Sequence, residues 1–204
     1  HDDLVNGVSA RYPLMARQFE SRFNADDNVS ARLENVDVGP SSVDKIVFSH
    51  LHFDHCGGTA LVPNAQIIVQ RSEWQSGHHS KLIEYEVYKP DDFDLGHDVL
   101  QIEGQHDVFG DGSVLCLPTP GHTAGHQSLR VNLASGPVVL TGDCVYWEEV
   151  LEKMLLPPFG FDHEMQLSSM GYLKALRDEQ GCKLLFGHDE AQWADLDRSS
   201  KGLT

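Results

Sequence analysis

Apolar residues in this chain fall into short runs separated by glycine, proline and charged residues. Seven of these runs have the length and composition expected of β-strands. They are residues 45–49, 66–69, 98–102, 113–117, 127–133, 137–141 and 183–186. Glycine-containing turns are predicted at residues 110–112, within a hairpin, and at residues 135–136.

Between the strands, helical segments are predicted at residues 13–23, 27–36, 71–76 and about 164–179. The first would begin at Pro13. The last is the best defined, because Asp162 can cap its N-terminus and Gly181 follows its C-terminus. Residues 77–97 are polar and irregular, which predicts a lid or a surface loop. Strands interleaved with helices indicate an α/β fold.

The composition is that of one globular domain covering residues 1–204, with 40% apolar residues. The formal net charge of −16 argues against a nucleic-acid partner, whose phosphates require basic patches. No apolar stretch approaches the length of a membrane span, so no membrane partner is expected.

Four cysteines are present, Cys56, Cys116, Cys144 and Cys182, without Cys-x-x-Cys spacing. They are predicted to be reduced, mostly buried residues of a cytoplasmic protein. Cys56 and Cys144 each directly follow a candidate metal ligand. We interpret both as packing residues, because the nitrogen and oxygen ligands described next are sufficient without them.

Residues 50–55 read His-Leu-His-Phe-Asp-His and directly follow the first predicted strand. Imidazole nitrogens and carboxylates are ligands that Zn²⁺ and similar metals prefer. His50 and His52 would lie on the same side of an extended segment, because side chains there repeat every second residue. Asp54 and His55 would leave in a different direction. One segment could therefore serve two adjacent metals.

Three further potential ligands each follow a later predicted strand. His122 lies in the tight loop 119–126, Asp143 follows strand 137–141, and His188 follows strand 183–186. A turn or capping role would explain any one of them alone. Their shared position after an apolar strand favours a common metal site.

These ordered ligands, with segments 50–58, 119–129, 143–146 and 186–189, resemble the metallo-β-lactamase fold superfamily, and most closely its N-acyl-homoserine lactonases, which are quorum-quenching enzymes. The resemblance covers residues 26–192 and implies an αβ/βα four-layer sandwich. It also implies two Zn²⁺ per chain, with Co, Mn or Fe as alternatives. One zinc would be bound by His50, His52 and His122, the other by Asp54, His55 and His188, and Asp143 would bridge them.

A metal-dependent hydrolase mechanism follows from this resemblance. A metal-bridging hydroxide would attack the ester carbonyl of a small-molecule lactone. Tyr146 matches the tyrosine that the family places near the substrate carbonyl, although its ring could instead pack in the core. Asp54 would be both a ligand and a proton shuttle. A monomer and a homodimer are both compatible with the family.

Several alternatives stay open. His126 and Asp189 could orient ligand imidazoles or be loop polar groups. A glyoxalase-II-like thioesterase is disfavoured by the acidic segment after Asp143, and a diiron oxidoreductase by His52, where those relatives carry glutamate. A mononuclear iron persulfide dioxygenase and a non-catalytic metal-binding protein are the other two candidates.

The chain departs from the family before its first motif. Only 49 residues precede His50, and no strand is predicted before Lys45. Because family members carry a β-hairpin region there, and the chain begins with His1, we expect an incomplete N-terminus. Missing strands would leave an open sheet edge and a substrate pocket without one wall. Any signal peptide would precede His1, so the cytoplasmic assignment is an expectation.

Overall fold

The structure, a computed structural model, describes residues 2–17, 20, 22–85 and 87–196. Contacts between residues divide the chain into two units. Unit 1 contains the chain up to Ile68 together with Trp74–Leu100, and unit 2 contains Val69–Glu73 and the chain from Gln101 onward. The assignment of the whole chain to one domain stays a prediction.

Eight strands occur in the described residues. They are β1 (Lys45–Val47), β2 (Gln66–Gln70), β3 (Val99–Ile102), β4 (His106–Asp107), β5 (Val114–Pro118), β6 (Gln127–Leu133), β7 (Gly136–Leu140) and β8 (Lys183–Leu185). The seven predicted strands are confirmed to within two residues. Only the two-residue strand β4 was not predicted, because it is too short to show a pattern.

Seven α-helices occur in the same residues. They are α1 (Val29–Glu34), α2 (Phe53–Cys56), α3 (Arg71–Gly77), α4 (Ser80–Glu84), α5 (Glu148–Lys153), α6 (His163–Gln180) and α7 (Glu190–Asp195). Single 3₁₀ turns include Met15–Arg17, Ala25–Asp27, Pro90–Asp92 and Gly142–Cys144. No helix of the described residues is long and apolar enough to cross a bilayer.

The strands form two sheets. The first has the order β1-β2-β3, with β1 and β2 parallel. The second has the order β4-β5-β6-β7-β8 and is antiparallel except for the parallel pair β7 and β8. The predicted hairpin across residues 110–112 is confirmed as the connection between β4 and β5.

The hydrophobic core of unit 2 lies between its sheet and α6. On α6, Met170 and Leu173 are fully buried and Leu176 nearly so, at the spacing of one helical face. Complete burial of each such side chain stabilises the fold by about 1.5–3 kcal/mol. As predicted, the Asp162 side chain accepts from the Met165 N–H, and Gly181 ends α6 in the left-handed conformation.

Unit 1 contains a smaller cluster formed by Leu4, Val8 and Tyr12, against which Phe53 packs. The predicted helix 27–36 is observed as the shorter α1, which ends at Glu34 and begins at Val29 because the Asn28 side chain caps it by accepting from the Ala31 N–H at 2.8 Å. Part of the predicted helix 13–23 lies outside the described residues, and the described part forms one 3₁₀ turn.

The prediction that residues 77–97 are irregular was wrong in part. They contain α4 and a 3₁₀ turn, and three of their described side chains are buried: Tyr88, Asp92 and Phe93. Polar residues separate these three buried residues, so the sequence shows no apolar periodicity that would predict their burial. Before Lys45, the described residues form helical turns and α1 but no strand, as expected. Whether the N-terminus is incomplete stays a prediction.

All four cysteines are buried and form no disulfide, so their predicted burial is confirmed. Burial raises the pKa of the Cys116 thiol to about 11. Burial also raises the pKa of Cys56 and Cys144 well above the ordinary value. These thiols are therefore neutral in the fold, which suits packing residues.

Candidate metal centre

The first donor group, His50, His52, Asp54 and His55, comes from one continuous segment of unit 1. His50 follows the end of β1 by three residues and is completely buried. His52 has extended backbone angles, with φ −69° and ψ 155°, and directly precedes α2. Asp54 and His55 lie within α2, so the backbone changes direction between the two pairs of donors, as the sequence predicted.

The structure brings the four side chains of the first donor group together. His50 Nε2 lies 3.1 Å from His52 Nδ1, and the rings of His50 and His55 have centroids 4.1 Å apart. His55 Nε2 lies 3.4 Å from Asp54 Oδ2. The group runs from the buried His50 to the Asp54 side chain, which is 41% exposed.

Donor chemistry in this group fits a divalent cation. Two imidazole nitrogens at 3.1 Å can share at most one proton. Three neighbouring imidazoles disfavour protonation, because each imidazolium would repel the next. Neutral imidazole nitrogens with an adjacent carboxylate are the ligand set of borderline metals such as Zn²⁺.

A buried polar cluster supports the chain next to this segment. The Tyr12 ring lies against Phe53, with centroids 4.6 Å apart. Its hydroxyl donates to Asp92 Oδ2 at 2.5 Å, and Arg11 Nε donates to Asp92 Oδ1 at 2.8 Å. Burial, with the Asp92 carboxylate beside it, raises the pKa of Tyr12. Asp92 thereby fixes the residue on which Phe53 packs.

The second donor group, His122, Asp143 and His188, comes from three strand ends of unit 2. Asp143 Oδ2 lies 3.5 Å from His122 Nε2, and Asp143 Oδ1 lies 3.1 Å from His188 Nε2. His122 and Asp143 are buried, whereas the His188 side chain is 41% exposed. One carboxylate thus presents one oxygen to each of two imidazoles, which is the arrangement that a bridging ligand needs.

Sheet register explains why Asp143 and His188 meet. Strands β7 and β8 are parallel neighbours, and Leu140 pairs with Leu185. Asp143 and His188 each follow their strand's paired leucine by three residues. Because parallel strands end at the same edge of a sheet, both side chains emerge side by side.

The loop 119–126, which carries His122, is held by a buried carboxylate that sequence analysis missed. Glu73 is fully buried and accepts from Thr123 Oγ1 at 2.7 Å and from the Gly125 N–H at 3.0 Å. A Cβ at Gly125 would lie 2.2 Å from the backbone nitrogen of Glu73. Only glycine allows this approach. In sequence, Glu73 looks like a solvated residue of a short polar helix.

The start of α6 packs against the same loop at Gly121. Gly121 has a φ of 134°, and a Cβ there would lie 2.3 Å from the Gln166 Cα. The Phe161 N–H donates to the Gly121 carbonyl at 2.9 Å. Gln166 Nε2 donates to the Cys144 carbonyl at 3.3 Å, next to Asp143. The helix therefore braces both the loop of His122 and the turn of Asp143.

Tyr146 is half-buried, and its hydroxyl lies 3.2 Å from His122 Nδ1. Its ring centroid lies 5.5 Å from that of His188. The hydroxyl thus faces the second donor group, which argues against the alternative of a tyrosine packed in the core.

The structure separates the two residues whose roles the sequence left open. The Asp189 side chain caps α7 by accepting from the Gln192 N–H at 2.9 Å, which is the role of a loop polar group. His126 is fully buried, and its Nε2 accepts from the backbone N–H of Asp143 at 2.9 Å.

Comparison with known proteins gives consistent matches. Residues 7–188 match the profile described as the metallo-beta-lactamase superfamily. An N-acyl homoserine lactonase of a Bacillus species is 37% identical over 94% of this chain and 72% of its own. The lactonase AiiA of Bacillus thuringiensis subsp. kurstaki is 35% identical over the same shares of the two chains.

Solved structures agree. A variant of B. thuringiensis AiiA with N-decanoyl-L-homoserine at its active site has a TM-score of 0.84, is 32% identical, and is matched over 96% of this chain and 76% of its own. An N-acyl homoserine lactone hydrolase with N-hexanoyl-L-homoserine at its catalytic metal center has a TM-score of 0.76, at 35% identity and 86% and 67% coverage.

An α/β fold with two sheets, and histidine and aspartate donors at strand ends, define a protein of the metallo-β-lactamase class, which confirms the predicted fold class. The chain belongs to the metallo-beta-lactamase superfamily and, within it, to the family of N-acyl homoserine lactonases.

Proposed function

We propose that this protein is a metal-dependent hydrolase that opens the lactone ring of N-acyl-homoserine lactones. The observation that carries the proposal is the Asp143 carboxylate, with one oxygen toward His122 and the other toward His188. The relatives named above, which are N-acyl homoserine lactonases, support the substrate class.

We propose that two divalent cations, zinc in the first instance, bind the two donor groups jointly. The proposed ligands are His50, His52 and His122 for one cation, Asp54, His55 and His188 for the other, and Asp143 for both. When bound, such cations lower the pKa of a coordinated water and polarise an ester carbonyl. Neutral imidazoles and carboxylates favour this assignment, whereas no cysteine is needed.

Asp54 is proposed to move the proton. Its carboxylate is the most exposed group of the first donor group and can therefore reach both solvent and a bound substrate. It would accept a proton released during attack on the ester and return it to the alkoxide oxygen that leaves when the ring opens. An alkoxide is a poor leaving group, so this proton transfer would lower the barrier.

Tyr146 is proposed to donate its hydroxyl hydrogen bond to the carbonyl oxygen as negative charge develops there. A neutral phenol placed beforehand costs no reorganisation during the reaction. Its distance of 3.2 Å from His122 Nδ1 leaves the hydroxyl beside the donors, where a substrate carbonyl would displace that contact.

The function is tested by measuring metals bound to the purified chain and by following acid release from an acyl-homoserine lactone. We expect bound divalent metal and lactone turnover that is lost on chelation and restored by zinc. A glutathione thioester assayed in parallel tests the thioesterase alternative. Turnover of the thioester alone would overturn the proposal, as would bound iron with oxygen consumption and no hydrolysis.

Replacement of Tyr146 by phenylalanine isolates the hydroxyl group. We expect kcat to fall by about 10²-fold, the usual effect of removing one donor to a developing oxyanion. The metal content should stay at the wild-type level, because the phenol is not a proposed ligand. Unchanged kcat in this variant would contradict the role of Tyr146 while leaving the metal assignment intact.

A further inference from the structure

His126 is a histidine for which the proposed mechanism has no role, yet it is fully buried in unit 2. The Asp143 N–H donates to its Nε2 at 2.9 Å. A nitrogen that accepts carries no proton, so the ring proton lies on Nδ1. Nδ1 lies 3.0 Å from the Thr119 carbonyl oxygen and 2.9 Å from Thr119 Oγ1, and therefore donates to Thr119.

The hydroxyl groups around His126 complete an ordered chain of hydrogen bonds. Ser128 Oγ donates to the Thr141 carbonyl at 3.0 Å, which uses its one proton. Thr119 Oγ1, 2.9 Å from Ser128 Oγ, must then be the donor of that pair. Thr119, Ser128 and Thr141 are all buried and lie at the ends of β5, β6 and β7. The imidazole is thus fixed in one orientation and one tautomer.

Asp143 needs an external anchor, because it lies in a single 3₁₀ turn, Gly142–Cys144, beyond the end of β7. A buried backbone N–H left without an acceptor costs about 1–3 kcal/mol. His126 accepts a hydrogen bond from the Asp143 N–H and thereby fixes the position of the Asp143 backbone. The side chain then places its two oxygens toward His122 and His188.

We propose that His126 is a positioning residue for Asp143, and that it raises the metal affinity of the site by holding this carboxylate in register. This inference rests on the proposed function, because metal affinity is the property that His126 sets. His126 itself binds neither metal nor substrate in this proposal.

Two amide variants separate the two hydrogen bonds of the ring. In His126→Gln, the amide oxygen is as many bonds from the backbone as Nε2 of histidine. It can therefore accept from the Asp143 N–H, but the hydrogen bond to Thr119 is lost. In His126→Asn, the amide nitrogen is as many bonds from the backbone as Nδ1 of histidine. It can therefore donate to Thr119, but no atom of the side chain reaches the Asp143 N–H. A residue that merely fills space or stabilises the loop would make both variants similar.

Metal affinity is measured by titrating the metal-free protein with Co²⁺ and recording the absorbance of the bound ion. We expect His126→Asn to bind Co²⁺ about 10–100-fold more weakly, the usual effect of losing a group that orients a ligand. His126→Gln should bind within a few-fold of wild type. Equal affinities for the two variants, whether both weakened or both unchanged, would overturn the proposal.

A matched control separates affinity from general stability. Leu176 is also buried in unit 2, in the hydrophobic core and ten residues along α6 from Gln166. Leu176→Ala should lower the unfolding temperature without changing Co²⁺ affinity. A loss of affinity in this control equal to that of His126→Asn would count against a specific role of His126.

A second readout needs neither metal nor turnover. In uniformly ¹⁵N-labelled wild-type protein, a through-hydrogen-bond coupling between the Asp143 amide nitrogen and His126 Nε2 is expected in the NMR spectrum. Its absence would overturn the inference, even if His126→Asn does not fold. If wild-type protein binds no cation, the proposed function fails, while the coupling still reports whether His126 holds Asp143.

Discussion

The two donor groups differ in how the chain assembles them. The first donor group comes from six consecutive residues after β1, the last three of which begin the short helix α2. The second comes from residues 122, 143 and 188, and depends on three separate strand ends. The first is therefore specified by local backbone conformation. The second is specified by sheet order and register, and can be disturbed from a distance.

Their supports differ in the same way. The first donor group is supported beside Phe53 by Tyr12, itself held by Asp92, and the Tyr88 ring lies 5.3 Å from that of His52. The second has separate anchors on two of its three segments: Glu73 on the loop of His122, and His126 on the turn of Asp143. A group assembled from distant segments needs anchors on separate elements, because each segment must be fixed independently.

The largest effect is expected from Asp143→Asn, which removes the charge that the second donor group shares. We expect activity to be abolished and bound metal to fall together, with an affinity loss larger than the ~100-fold typical of residues that only orient ligands. Metal analysis by mass spectrometry and the lactone assay check this.

Asp189→Asn is its matched control, because it makes the same chemical change one residue from His188. Asparagine caps helices about as well as aspartate, so metal content and activity should stay near wild type. Full activity in Asp143→Asn would refute the bridging role.

Asp92→Asn tests the support of the first donor group. The carboxylate is 1% exposed and pairs with Arg11, whose side chain is 15% exposed. Breaking a buried pair by removing one partner costs about 3–5 kcal/mol, and the partial exposure of Arg11 places the expected loss at the lower end. Urea unfolding measures it.

Asp91→Asn provides the comparison, since Asp91 is exposed and offers Arg11 only its backbone carbonyl. Its unfolding free energy should match that of wild type within about 0.5 kcal/mol. Similar losses in the two variants would show that the buried pair does not support unit 1.

Sequence reasoning was most successful where the information is local. The apolar runs predicted β6 at its observed bounds, and a cap and a glycine predicted the limits of α6 within a residue. The candidate ligands were visible because each directly follows an apolar strand. The change of direction between His52 and Asp54 was also expected, and the structure assigns it to the start of α2 at Phe53.

What the sequence did not show depends on contacts between distant residues. Glu73 is a buried anchor only because Thr123 and Gly125, 50 and 52 residues later, donate to it. The short helices α5 and α7 were missed, because helices of six residues are stabilised by tertiary packing rather than by their own propensity. The role of His126 likewise appears only once the turn of Asp143 is in place.

Gly125→Ala tests the anchoring of the second donor group. The new Cβ would lie 2.2 Å from the Glu73 backbone nitrogen, so the loop carrying His122 must shift. We expect a loss of about 1–3 kcal/mol in unfolding free energy, together with weaker metal binding.

Gly171→Ala is the matched control. Gly171 is exposed on α6 with no atom within 4 Å of the added Cβ, so the variant should be more stable by about 0.5–1 kcal/mol. Equal stability of the two alanine variants would mean that the loop 119–126 can accommodate a Cβ at Gly125, contrary to the structure.

The smallest effect concerns Cys116, on β5, the strand that leads into the loop of His122. Burial raises the pKa of this thiol from 9.0 to about 11, so the folded state keeps its proton where the unfolded state loses it. The resulting stability is present below pH 9 and is lost as pH rises toward 11.

Other groups titrate there too, so wild type and Cys116→Ala must be compared at each pH. We expect the alkaline loss of unfolding free energy to be smaller in Cys116→Ala, by on the order of 1 kcal/mol between pH 8 and pH 10.5. If unfolding free energy falls with pH equally in both proteins, the Cys116 thiolate is hydrated in the folded state. Cys116 on β5 would then be less buried than the structure shows.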